Sequence, residues 1–83
     1  MNKDQHPLQL EQCIRDNLEI YFKDLDGAEP CEMYEMILKV AEKPLLEVVM
    51  KHAERNQSRA AQWLGMNRNT LRRKLLEHQL LND

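Results

Sequence analysis

Glycine and proline are scarce in this chain, two and three among 83 residues. Tight hairpin turns draw heavily on both, so little room is left for hairpins and helices are favoured. No run of about 18 apolar residues occurs, so no membrane-spanning helix is expected. The opening MNKDQHPLQLEQ has no apolar stretch of the kind a secretory signal needs. Cysteine is limited to Cys13 and Cys31. Neither has a histidine or a second cysteine two to four residues away, so no metal site is expected. Both read as buried free thiols of a reducing cytoplasm. His6, His52 and His78 are scattered. No nucleophile, base and orienting group come together, which argues against an enzyme, a cofactor or a small-molecule substrate. The five methionines read as core filler at helical spacing, not as a metal site.

What is present is an ordinary apolar fraction, 42%, enough for a folded chain. The length allows one domain at most. A chain this short buries only about 60–65% of its unfolded surface, so a lone core is marginal.

The charge is divided along the chain. Residues 1–54 carry six Lys/Arg against twelve Asp/Glu, a net of −6. Residues 55–76 carry Arg55, Arg59, Arg68, Arg72, Arg73 and Lys74 and no acid, a net of +6. Residues 77–83 return −2 through Glu77 and Asp83. An acidic body with a basic C-terminal third points to a polyanion partner at one end. The plain alternative is a solvated basic face that binds nothing.

Residues 1–8 read as a short flexible lead. Leu10, Ile14, Leu18, Tyr21, Phe22 and Leu25 recur at steps of three and four, one apolar stripe on a helix over about 10–25. Asp26–Gly27 ends it, with Gly27 suited to the left-handed position past a helix. Pro30 stands where a second helix can begin. That helix, about 32–54, has the stripe Met33, Ile37, Val40, Pro44 and Val48, with Met50 or Ala53 beyond. Pro44 removes one internal hydrogen bond. The stripe keeps its phase across it, so one kinked helix is expected rather than two short ones.

The segment NQSRAAQWLGMNRNTLRRKL, 56–75, reads as two short helices, about 57–64 and 68–77, within a unit spanning 56–79. Asn56 or Ser58 caps the first. Ala60, Ala61 and Leu64 form its inner face, with Trp63 or Met66 beside them. Gly65 allows the chain to reverse. Leu71 and Leu75 share one face of the second helix and pin it to the core. Asn69, Thr70 and Arg73 then point outward, with Arg68 and Arg72 at the edge. This is a helix-turn-helix pattern. The second helix of such a unit enters the DNA major groove, and here the cations sit on it. The expected partner is therefore double-stranded DNA.

At PLLEVVM (44–50) and NQSRAAQWLGMNRNTLRRKL (56–75) the sequence closely resembles the Fis family of bacterial DNA-binding proteins. The resemblance covers roughly residues 8–80. It implies an all-α, four-helix subunit in an intertwined homodimer with two C-terminal helix-turn-helix units. The dimer core would include Leu18, Phe22, Ile37, Val40, Pro44 and Val48. It further implies that Asn67 and Arg68 approach base edges and that Arg73 faces the groove and flanking DNA. Asn56, Ser58, Thr70 and Arg72 match phosphate contacts, and Arg59 and Lys74 would add backbone contacts. Paired recognition helices in this family lie closer than one turn of straight DNA, about 34 Å. Recognition is then mainly by shape and bendability. The implied role is a nucleoid organiser and transcriptional regulator in the cytoplasm. A contact with RNA polymerase around residues 67–72 is a further implication.

The same module closes the NtrC-type transcription activators, behind a receiver domain and an ATPase. Neither is found between Met1 and the module, which favours a free-standing protein. A helical protein-interaction dimer that binds no DNA is the other alternative. The chain departs from the family pattern at Asn69, where a small residue is frequent. It also departs at Leu76 and Glu77, where lysines are common. At most nine residues precede the first stripe, too few for the β-hairpin arm with which some Fis proteins stimulate recombinases. DNA bending without recombinase stimulation is the resulting expectation.

Overall fold

The computed structural model describes residues 5–81, with side chains from residue 9 onward. Among these residues four helices follow in order: α1 (Gln5–Leu25), α2 (Met33–His52), α3 (Gln57–Leu64) and α4 (Arg68–Glu77). No strand occurs among the described residues. The chain divides into two compact units, one up to Met33 and one from Tyr34 onward. Among the described residues, no helix is long and apolar enough to cross a membrane.

α1 starts at Gln5, well before the first residue of its apolar stripe. The expected flexible lead over 1–8 is thereby corrected for residues 5–8; residues 1–4 lie outside the described residues. Pro7 falls in the first turn, where an N–H has no helical partner to lose. Leu18, Tyr21 and Leu25 are half-buried, while Leu10, Ile14 and Phe22 remain exposed. Cys13 and Cys31 are both exposed free thiols, against the expectation of burial. Cys13 lies to one side of the α1 stripe, about a quarter-turn from Ile14. The helix ends at Asp26 and Gly27, both at positive φ (50° and 91°).

α2 begins at Met33, three residues after Pro30, because Glu32 takes a left-handed φ of 51° just before it. It runs through Pro44 as one helix. Pro44 has no N–H to give the Val40 carbonyl, and one missing bond does not end a helix whose next turns are held in the core by Leu46 and Val49.

The core lies in the C-terminal unit. Leu46, Ala53, Ala60, Ala61, Leu71 and Leu75 are buried, with Val49, Met50, Leu64, Met66, Leu80 and Leu81 packed around them. Ala60 and Ala61 bring α3 close to its neighbours, as their size suggests. Met66 packs on this core, whereas Trp63 is exposed. Leu46 was not part of the expected α2 stripe. It sits on the face shared by Val49, Met50 and Ala53. Val40, Pro44 and Val48 lie about half a turn away, and all three are exposed in the single chain. α2 therefore has two apolar faces, and only one of them is covered here.

Between α2 and α3, Glu54 and Arg55 are consecutive non-glycine residues at left-handed φ values of 55° and 64°. The pair turns their N–H groups back onto the end of α2. Glu54 donates to the Lys51 carbonyl at 3.1 Å and Arg55 to the Met50 carbonyl at 2.9 Å. Each such residue is held at a cost of about 1 kcal/mol. Arg55→Gly removes that cost but loosens the unfolded chain. A net gain of up to about 1 kcal/mol is expected in urea unfolding at neutral pH. A lower midpoint would show that the Arg55 side chain contributes more than its backbone strain removes.

Candidate nucleic-acid interface

α3 and α4 are set by their caps. The Asn56 side chain accepts from the Arg59 N–H at 3.0 Å and starts α3. Gly65 ends it at φ 74°, a left-handed conformation that suits glycine. Its N–H reaches the Ala61 and Gln62 carbonyls. Two residues later, Asn67 Oδ1 accepts from the Asn69 N–H at 2.7 Å and starts α4. The turn between the helices is thus short and pinned on both sides.

Leu71 and Leu75 point into the core and are essentially fully buried. With these two leucines inward, the opposite face of α4 is turned outward. Arg68, Asn69 and Arg73 are exposed, while Thr70 and Arg72 are half-buried. Thr70 is thus less outward than the sequence suggests. Ser58 and Arg59 are exposed on the first turn of α3, where free helix N–H groups favour anions. Arg59 lies 3.6 Å from the Glu54 carboxylate, an exposed pair that a phosphate can displace.

Asn56, Ser58, Arg59, Asn67, Arg68, Thr70, Arg72 and Arg73 all belong to these two helices and their caps. Asn56 and Asn67 have their side-chain oxygens committed to capping, which leaves their amide groups for any outside contact. Lys74 stands apart from the others. Its Nζ donates to Glu42 Oε2 on α2 at 2.9 Å. His78 Nε2 lies 2.8 Å from the other oxygen of the same carboxylate. A DNA contact from Lys74 would have to be shared with this pair or break it. The hydrogen bonds from Lys74 and His78 hold the Glu42 carboxyl below its usual range, against a smaller upward push from burial. Sequence reading missed Glu42, because nothing local marks it off from the other acids of α2.

Among the described residues, no group of three or more His, Cys, Asp or Glu could hold a metal ion.

The fold and this site define an all-α helix-turn-helix protein. Residues 37–78 match the family described as bacterial regulatory protein, Fis family. A protein of Neisseria meningitidis serogroup A described as Fis-like DNA-binding is 60% identical over 72 residues, which cover 87% of this chain and 91% of that one. Another described in the same words, from Ralstonia nicotianae, is 57% identical over 72 residues, covering 87% of this chain and 94% of that protein. The DNA-binding protein Fis of Glaesserella parasuis serovar 5 is 43% identical over 74 residues, 84% of this chain and 76% of that one. The chain belongs to the Fis family, a family of regulators rather than enzymes.

Proposed function

We propose that the chain is a Fis-like DNA-binding protein that works as a homodimer and bends its target. One observation carries the reading: on α4 the leucines are buried while Arg68 and Arg73 are exposed, on the part of the chain that holds six cations and no acid. A helix so mounted presents cations to a major groove and phosphates to its flanks. The names of the relatives support DNA as the polyanion.

The second apolar face of α2 supports the homodimer. Val40 is 66% exposed and Val48 55% in the single chain, and a chain this small gains much from covering such a face. Two α4 helices on one dimer would read adjacent grooves of bent DNA, mostly by shape. On this reading its roles are nucleoid organisation and transcriptional regulation, in the cytoplasm. Residues 5–25 form one helix, so no β-hairpin arm lies among the described residues. Bending without recombinase stimulation is therefore part of the proposal, and normal enhancer activity in an inversion assay would remove that part.

The test is a mobility shift with circularly permuted fragments carrying an A/T-centred site. A shift whose mobility depends on site position is expected. With roughly six phosphates contacted per dimer, log K falls with log salt at a slope of about −5. No shift at low salt would leave a helical interaction dimer instead.

A further inference from the structure

We propose that Glu42 is a positioning residue for DNA recognition. It holds the C-terminal half of α4 against α2 through Lys74 and His78, and so sets the direction in which the α4 arginines face. The proposal rests on the reading of α4 as the recognition helix.

Three observations lead to it. First, both oxygens of one carboxylate are used, one by Lys74 at 2.9 Å and one by His78 at 2.8 Å. Lys74 and His78 are four residues apart, one turn along the same side of α4. Second, the cluster is sheltered. The side chains of Glu42 and Lys74 are each 27% exposed and that of His78 10%. By contrast, the Arg15–Glu11 pair is exposed and local to one helix. Third, Glu42 precedes Leu46 by one turn, on the same face of α2. It extends the contact between α2 and α4 beyond the leucines.

An apolar contact alone is tolerant of roll and slide, because dispersion has no preferred direction. A carboxylate that grips two points on a helix has one. The grip lies at one end of α4, and Arg68 lies at the other. A small roll at His78 therefore swings the Arg68 and Arg73 side chains across the groove. Base contacts at the groove edge carry the sequence information, whereas phosphate contacts do not, so a swing of these side chains costs target binding first.

Charge and positioning predict opposite signs for Glu42→Gln. The substitution removes a negative charge beside Lys74 and leaves a weaker acceptor for it, so charge alone tightens binding to every duplex. Loss of positioning weakens the target complex and spares non-specific binding. The experiment uses the full chain and measures affinity for an A/T-centred target and for a mixed-sequence duplex of equal length. Both are titrated at several salt concentrations, at a temperature where circular dichroism shows full helix content. For Glu42→Gln, about fivefold weaker target binding is expected, the scale of one lost sheltered hydrogen bond, with mixed-sequence binding equal or slightly tighter. Equal or tighter binding to both duplexes would overturn the proposal.

Lys74→Met keeps the apolar stem and removes the ammonium, and it decides the question even where Glu42→Gln folds poorly. A loss confined to the target, with an unchanged salt slope, is expected. A slope shallower by about one per protomer would show Lys74 on a phosphate and overturn the proposal. Wild-type chain that binds neither duplex would instead remove the DNA-binding reading beneath it.

Discussion

Arg68→Ala is expected to weaken target binding by about 1–3 kcal/mol at each half-site, and by both half-sites together in a dimer. The side chain is exposed at the first residue of α4, with Asn67 capping the helix just before it. Its guanidinium is long enough to pass the cap and is suited to guanine O6 and N7. The folded state is not expected to suffer. Alanine is the best helix former, and a cation at a helix N-terminus opposes the helix dipole. Loss of binding with equal or slightly higher stability is therefore the signature. The comparison is Arg73→Ala, an exposed position in the middle of α4 that on the proposed reading faces the groove and flanks. There a weaker and more uniform loss across sequences is expected, with a shallower salt slope. Competition titrations of both variants against target and mixed-sequence duplexes distinguish the roles. Target affinity unchanged by Arg68→Ala would remove this residue from base recognition.

The helix-turn-helix was legible in the sequence because its signals are local. Asn56 or Ser58 and Gly65 mark the ends of the first short helix by their own backbone preferences, whereas the capping role of Asn67 emerged only in the structure. Ala60 and Ala61 declare a close contact, and Leu71 with Leu75 declare an inner face. Each of these needs only its immediate neighbours to be read. Leu46 failed that test. It sits in PLLEVVM, where apolar residues occupy almost every position, so periodicity selects no face. The stripe through Val40, Pro44 and Val48 is real but is the uncovered one in a single chain. The start of α1 was hidden for a different reason. Pro7 and a polar lead argue against helix, yet a first turn tolerates both. The thiols of Cys13 and Cys31 were misread from the general burial of cysteine, which says nothing about the side of a helix on which one sits. Glu42 was not readable at all. Its partners are 32 and 36 residues downstream, and only the fold brings them to one carboxylate.

The two faces of α2 give the largest stability effect and a means of separating subunit from dimer. Leu46→Ala is expected to destabilise by about 2–5 kcal/mol, because the side chain is fully buried and its loss leaves a cavity. That is a large share of the total for a chain of this size, where about 5–15 kcal/mol is usual. The damage falls inside one protomer, between α2 and the helices that carry the arginines. Amide exchange in α3 and α4 should accelerate, since their protection depends on the core that Leu46 fills. Val48→Ala removes a side chain of similar character only two residues away, but one that is 55% exposed in the single chain. Within one protomer its loss should cost less than about 1 kcal/mol. In a dimer built on that face the cost appears at association, so the transition midpoint becomes more dependent on protein concentration. Exchange in α3 and α4 should stay close to wild type wherever the dimer is saturated. Unfolding at several concentrations, paired with residue-resolved exchange, therefore assigns each face to its partner. If Val48→Ala instead exposed α3 and α4 as Leu46→Ala does, the second face would belong to the protomer core. If it changed neither readout, that face would carry no subunit contact at Val48. The proposed reach of two α4 helices across adjacent grooves would then lose its scaffold, while the single helix-turn-helix would keep its arginines and its affinity for phosphate.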